Sequence, residues 1–404
     1  MIALSNRQKT MPASPIRKLV PYAEEAVKRG IKVYHLNIGQ PDITTPPEFY
    51  QAIRDHTEKV LTYGHSLGLL ALRQEIAAYY ERLGLPVKAR DVMVTTGGSE
   101  AIIFAFLAAC DPGEDVIIPE PFYTNYLGFA QMASVKIRPI ETRLEDGFKI
   151  PPQEVFEKAI RKTTRAILYC SPNNPTGAIA SPEEVAFLGH LAKKHNLFLL
   201  ADEVYREFTY DGKTHTSLFS LSGLEDRTVI MDSISKRFSA CGARVGCLIS
   251  RNPRVMDLAL RFGQARLCSP TLEQVGAIAA YRVMDRYVPQ MIREYQKRRD
   301  LVVDALQKMP GVSCHKPQGA FYLVAKLPVR DAEAFAKWLL TDFSSEGHTV
   351  MFAPANGFYA TPGKGKDEIR IAYVLKEEDL KEAMRLLDLG LVAYKDVEKK
   401  AKKK

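Results

Sequence analysis

The chain has 404 residues, 46% of them hydrophobic and 25% charged, and a formal charge of +9. That length supports two domains with large cores, and no apolar run is long enough to span a bilayer. Six scattered cysteines without a CxxC pair, and histidines without ligand spacing, speak against a disulfide framework or a zinc site and for a reducing, cytoplasmic compartment. Part of the charge lies in Lys399-Lys400-Ala401-Lys402-Lys403-Lys404, which reads as a frayed tail. The remainder is spread without Arg/Gly or aromatic interleaving, which favours solubility and attraction for small acids over a nucleic-acid surface. The first residues lack the basic and apolar segments of a secretory signal.

An amphipathic helix through Tyr22, Ala23, Ala26 and Val27 is expected to end at Gly30, ahead of a short strand at Val33–Leu36. The turn-rich Asn37-Ile38-Gly39-Gln40-Pro41-Asp42 follows, where Gly39 permits close backbone approach to a ligand. Proline then opens a helix after Thr44-Thr45. The loop Leu61-Thr62-Tyr63-Gly64 precedes a helix over Leu69–Arg82. Strand Asp91–Thr96 runs directly into Gly97-Gly98-Ser99-Glu100-Ala101 and an apolar helix. Glycines and a serine at a helix amino end make an anion seat, and the spacing matches neither GxGxxG nor GxxxxGK[ST].

Strand Asp115–Ile118 leads to Tyr123 on a loop, and strand Ala166–Cys170 to Asn173-Asn174-Pro175-Thr176-Gly177. The apolar run from Leu197 ends in Asp202-Glu203-Val204-Tyr205, and a carboxylate there costs several kcal/mol unless cations or donors meet it. Lys236 lies on an irregular link between strands Thr228–Met231 and Val245–Ile249, with Ser233, Ser235 and Arg244 about it. This alternation of strands and helices from about 91 to 250 implies a mostly parallel buried sheet, whose ligands bind at the carboxyl ends of its strands. Gly98, Tyr123, Asn174, Asp202, Tyr205 and Lys236 all fall at such ends. Further on, the pattern predicts a helix over Met256–Ala265, a long basic helix from Thr271 to about Lys308, and a hairpin over Val312–Lys326. A helix over Asp331–Leu340, strands at Val350–Pro354 and Glu368–Tyr373, and a closing helix over Lys376–Leu389 complete a smaller α/β domain.

A flat aromatic aldehyde bearing a phosphate, a phenolate oxygen and a ring nitrogen would use every one of these parts. Lys236 would attack the aldehyde to form a Schiff base. Asp202 would keep the ring nitrogen protonated, and Tyr205 and Asn174 would hydrogen-bond the phenolate oxygen. Gly98, Ser99, Ser233, Ser235 and Arg244 would hold the phosphate, with Tyr123 stacked on the ring. Pyridoxal 5′-phosphate is that molecule.

Gly39-Gln40-Pro41-Asp42, Tyr63-Gly64, Gly97-Gly98-Ser99-Glu100-Ala101, Asn173-Asn174-Pro175-Thr176-Gly177, Asp202-Glu203-Val204-Tyr205, Ser233 to Gly246, and Arg370 in Ile369-Arg370-Ile371 stand in one order along nearly the whole chain. In these stretches the sequence resembles the fold-type I, class I/II aminotransferases of the aspartate aminotransferase superfamily. The resemblance implies an α/β fold, with a large domain (48–290) on a mostly parallel seven-stranded sheet covered by helices. It also implies a smaller α/β domain, formed by 291–404 together with the N-terminal arm 1–47. Lys236 would shuttle the proton between substrate Cα and cofactor. Arg370 would grip the substrate α-carboxylate as a fork, helped by Asn174 and the Gly39 backbone. Tyr63 would reach the phosphate of the partner subunit's cofactor, which implies a homodimer with shared sites. The small domain and the segment near Ile16 would close over the substrate.

Two departures bear on substrate choice. Tyr123 stands where many relatives carry tryptophan, and Ser99 stands where some aspartate-specific bacterial relatives carry a lysine for the distal carboxylate. Arg266 has two readings, as a contact to a substrate side-chain carboxylate from the partner subunit or as a helix or interface arginine. The sequence thus points to amino transfer from an aspartate, aromatic or mid-sized aliphatic L-amino acid to a 2-oxo acid, with 2-oxoglutarate and glutamate as the shared pair. A C–S lyase of the same fold and a non-enzymatic regulator are the rivals.

Overall fold

The computed structural model describes residues 2–401. After a helix over Val20–Lys28 comes strand β1 (Lys32–His35). The chain then builds one large sheet from β2 (Val92–Thr96), β3 (Asp115–Glu120), β4 (Lys136–Glu141), β5 (Thr164–Cys170), β6 (Phe198–Asp202), β7 (Thr228–Ser233) and β8 (Val245–Ile249). Their spatial order is β2-β8-β7-β6-β5-β3-β4. Strands β5, β6 and β7 pair in parallel, as do β5 with β3 and β3 with β4, while β8 alone runs against its neighbours β2 and β7. Helices cover both faces, so the central strands are buried almost throughout and read as continuous apolar runs. At the edge, β4 carries exposed charge at Lys136 and Glu141, and β5 carries it at Arg165 near its amino end.

The expected single helix from Thr271 to Lys308 is two helices, Thr271–Arg282 and Met284–Lys308, parted at Val283. The break redirects the chain from one core to the other: Tyr287 and Val288 touch both, and Met291 onward packs in the second. Buried Arg298 and Arg299 on this helix pair with Asp42 at 2.6 Å and Asp211 at 2.7 Å, so the basic face ties down loops rather than facing solvent.

Strands β9 (Ser313–Cys314) and β10 (Tyr322–Lys326) form the expected hairpin. The predicted strand Val350–Pro354 is split at Phe352 between two sheets. Its first part, β11 (His348–Met351), pairs in parallel with β1; its second, β12 (Ala353–Pro354), pairs with β13 (Glu368–Ala372). The N-terminal strand is therefore part of the C-terminal layer, and Leu19, Ala23, Tyr34 and Leu36 share its core. Tyr205, Phe208 and Tyr210, on the loop after β6, also pack there, so that loop joins the two cores. The closing helix runs over Glu377–Ala401, well past Leu389, because Leu391 and Tyr394 are buried against the same core. Lys399 and Lys400 thus continue a helix instead of fraying, and the last three lysines lie outside the described residues. No helix among the described residues is long and apolar enough to cross a membrane.

Candidate active site

A cavity of about 440 Å³ opens along the carboxyl edge of the large sheet. The reversal of β8 matters here, because its amino end joins the carboxyl ends of the others and carries Arg244 to the same edge. Gly39, Gly98, Ser99, Tyr123, Asn174, Asp202, Tyr205, Ser233, Ser235, Lys236, Arg244 and Arg370 all line this cavity, so twelve of the thirteen residues singled out from sequence are brought together.

Lys236 sits in the short helix Ile234–Arg237 that follows β7. Ser233 caps this turn, its hydroxyl accepting the Ser235 amide at 3.1 Å and donating to the Val245 carbonyl at 2.9 Å. The Lys236 Nζ donates to the Gly39 carbonyl at 2.7 Å and stands 3.7 Å from the Cys241 Sγ. Burial lowers its pKa from the ordinary lysine value, and the positive charges of Arg370 and Arg244 add to the effect. A lysine in this setting releases its proton more readily than a surface one.

At the other end, the helix Gly97–Ala109 points its amino end at the cavity, and the Arg244 guanidinium lies against Gly97. A Cβ on Gly97 would come within 2.4 Å of that guanidinium, and Gly97 has φ of +74°, so both space and backbone call for glycine. Arg244 itself adopts a left-handed conformation with φ of 52°. A helix dipole and a guanidinium thus converge on one spot, and Arg244 has no carboxylate partner among the described residues.

Asp202 ends β6 and is buried. The sequence demanded a cation or donors for it, and the described residues provide donors only: the Tyr126 hydroxyl and, at 3.4 Å, the Val204 amide. Burial outweighs them and pushes its carboxyl up to about 6.

Arg370 is almost wholly buried and faces the Asn174 Oδ1 at 3.4 Å and the Asn37 carbonyl. Its Nε has no hydrogen-bond partner among the described residues. Its guanidinium lies over the rings of Tyr322 and Phe358, at 4.6 and 5.0 Å from their centroids. The Tyr205 and Tyr322 hydroxyls are 2.9 Å apart, and a Cβ on Gly39 would overlap the Tyr322 hydroxyl at 1.8 Å. The Tyr123 ring stands edge-on to Tyr126, and its hydroxyl receives the Asn125 amide at 2.8 Å.

Tyr63 is the exception. It does not line the cavity but stands 80% exposed on a surface loop, beside the similarly exposed Val60 and Leu61. Arg266 is also outside, held by Glu100 at 3.1 Å and by the Val94 carbonyl, which fits the helix-arginine reading. Sequence reasoning missed Tyr126, Tyr322, Cys241 and Asn37. The first two look like ordinary core aromatics in apolar segments, and only the fold turns their hydroxyls toward polar partners.

The family model for aminotransferase class I and II matches residues 31–387. The chain belongs to that family. It is 35% identical to a putative aminotransferase of Bacillus subtilis (YugH), over 94% of this chain and 96% of that one. It is 32% identical to aromatic-amino-acid aminotransferase 2 of Thermococcus litoralis, over 95% and 97% of the two chains. The structure of a single mutant of Thermus thermophilus aspartate aminotransferase superposes with a TM-score of 0.88, at 28% identity, covering 96% of this chain and all of that one. This aminotransferase shares their mostly parallel fold-type I sheet, and its cofactor is pyridoxal 5′-phosphate.

The cavity fits that cofactor on its own chemistry. Asp202 lacks an internal cation and suits a protonated ring nitrogen. The cleft between the Gly97–Ala109 helix and Arg244 lacks an internal anion and suits a phosphate. Lys236 stands between them with its amine in the cavity.

Proposed function

We propose that this aminotransferase moves the amino group of an aspartate, aromatic or mid-sized aliphatic L-amino acid to a 2-oxo acid, 2-oxoglutarate, in two half-reactions that use one pocket in turn. The observation that carries the reading is the Lys236 amine, its pKa lowered by burial, set in the same cavity as a buried carboxylate that no cation among the described residues neutralises. When bound, pyridoxal 5′-phosphate supplies a ring that takes up the electron pair left at the substrate Cα.

The chain's own residues do the rest. Ser99, Ser235, Arg244 and the amide groups at Gly98 hold the phosphate, with Ser233 fixing the turn that carries Lys236. Asp202, steadied by Tyr126, keeps the ring nitrogen protonated, while Tyr205 and Asn174 donate to the phenolate oxygen and Tyr123 packs on the ring. Arg370 forks onto the substrate carboxylate, with Asn174 and the Gly39 backbone beside it. Lys236 Nζ is the base that takes the proton from the substrate Cα and returns it on the other side of the exchange.

The same reading divides the chain into a large domain, 48–290, and a small one of 1–47 with 291–404 that closes on the substrate and excludes water. Tyr63 serves the phosphate site of a second copy in a homodimer, a reading supported by its exposure beside Val60 and Leu61. All six cysteines are unpaired, which supports a cytoplasmic setting.

Borohydride reduction of the loaded enzyme followed by peptide mapping is expected to leave a pyridoxyl group on Lys236, and a group on any other lysine sinks the assignment. Incubation with an amino donor and 2-oxoglutarate is expected to yield glutamate. Pyruvate and ammonia without glutamate would identify a C–S lyase instead.

A further inference from the structure

The cavity holds one more cation than the chemistry above employs. Its lining includes Arg17, Lys236, Arg244 and Arg370, against the carboxylates of Asp202 and Asp232. Asp232 is taken up by Arg237 at 2.8 Å. In the proposed function Lys236 holds the aldehyde carbon, Arg244 the phosphate, Arg370 the α-carboxylate, and Asp202 the ring nitrogen. Arg17 is left over. Its neighbour Lys18 is paired with Glu333, whereas Arg17 has no ion-pair partner among the described residues and stands exposed at the mouth.

The segment carrying Arg17 is fixed on the side facing Arg370. Ile16 packs on Ala353, Ala355, Phe358 and Tyr359, and a Cβ on Gly357 would come within 2.2 Å of Pro15. Asn37 joins the two arginines: its carbonyl accepts from Arg370, and its side-chain amide donates to the Ile16 carbonyl at 3.4 Å. One residue thus sets both the guanidinium assigned to the α-carboxylate and the backbone that presents the free one. Lys18 is tied to Glu333, which also receives the Asn356 amide at 2.9 Å, so the far side of the turn is held as well.

We propose that Arg17 reads the distal carboxylate of a dicarboxylic substrate, making aspartate, glutamate and 2-oxoglutarate the preferred class. The inference rests on the transamination reading and sharpens it. It also takes up the task that Arg266, engaged by Glu100, does not perform. A guanidinium at the mouth forms charge-assisted hydrogen bonds with a four- or five-carbon diacid, a stronger attraction than the stacking it offers an aromatic side chain.

The test compares wild type, Arg17→Gln and Arg17→Lys as loaded enzymes. Calorimetric binding of maleate, a dicarboxylate without an amino group, is set against 3-phenylpropionate, a monocarboxylate of aromatic shape. The affinity ratio of maleate to 3-phenylpropionate is expected to fall about 10- to 100-fold in Arg17→Gln and to recover in part in Arg17→Lys. The kcat/KM ratio of aspartate to phenylalanine should fall in step. A ratio that stays put in Arg17→Gln overturns the proposal, as does a wild type that binds maleate no more tightly than 3-phenylpropionate. A wild type that transfers no amino group from any donor overturns the transamination reading, and the binding arm still decides what Arg17 contacts.

Discussion

Asp202 and Glu203 are consecutive residues, both buried, and they are driven in opposite directions. Burial raises the Asp202 carboxyl to about 6. Burial would raise Glu203 too, but Arg206, His215 and the Ser217 hydroxyl hold it at about 2. The one faces the cavity, the other the scaffold behind it. In that scaffold Glu203, Arg206, Asp232 and Arg237 each have a counter-charge from the protein itself. Arg237 pairs with Asp232 at 2.8 Å and Glu207 at 2.9 Å, Arg206 with Glu203 at 3.3 Å, and His215 with Glu203 at 3.3 Å. In the cavity Asp202, Arg244 and Arg370 have none among the described residues. Burial alone does not mark a functional charge; burial beside an open cavity without an internal counter-charge does.

The contrast is testable from both sides. Lys236→Ala is expected to lower turnover by about four orders of magnitude and abolish borohydride trapping, while leaving the fold intact by circular dichroism. Glu203→Gln removes one partner of a buried ion network and is expected to cost about 3–5 kcal/mol at pH 7 in chemical denaturation. Glu203 has its pKa lowered by folding, so its contribution is present above about pH 4.5 and is lost as the pH falls toward 2; the variant and wild type should converge there.

Asp202→Asn should do the reverse in the cofactor-free protein. The folded carboxyl has the higher pKa, so wild type is unpenalised below about pH 4 and loses stability as the pH rises through 6. The variant should be the more stable by about 3 kcal/mol at pH 8 and equal to wild type at pH 4. A variant less stable than wild type at pH 8 would break the comparison. Tyr322→Phe removes the hydroxyl 2.9 Å from that of Tyr205 and should cost about 1 kcal/mol in kcat/KM, roughly a factor of five to ten, with little change in stability.

Much of this was legible in the sequence, for a physical reason. Asp202 ends an apolar strand, where a carboxylate is costly, and Asn174 and Lys236 stand a few residues past the carboxyl ends of two more such strands, so all three announce themselves locally. The parallel sheet followed from strands alternating with helices. Strand direction did not: Val245–Ile249 reads as a strand either way, and its reversal emerges only from pairing with β2 and β7. The break at Val283 and the split at Phe352 are likewise tertiary, since each redirects a segment whose local pattern is continuous. Arg17 and Arg266 show the limit most clearly. Both are plain arginines in sequence, and only the position of Glu100 separates the occupied one from the free one.

The reversal of β8 has an effect on how the two grips are inherited. Lys236 and Arg244 ride on one hairpin, the turn between β7 and β8, so amine and guanidinium are spaced by a single stretch of chain and not by the packing of distant segments. An extra residue inserted between Phe238 and Gly242 would change the gap between Lys236 and Arg244, the residues proposed to meet aldehyde and phosphate, while every strand stayed in register. On the proposed reading, the length of that turn is the molecule's own ruler for its cofactor.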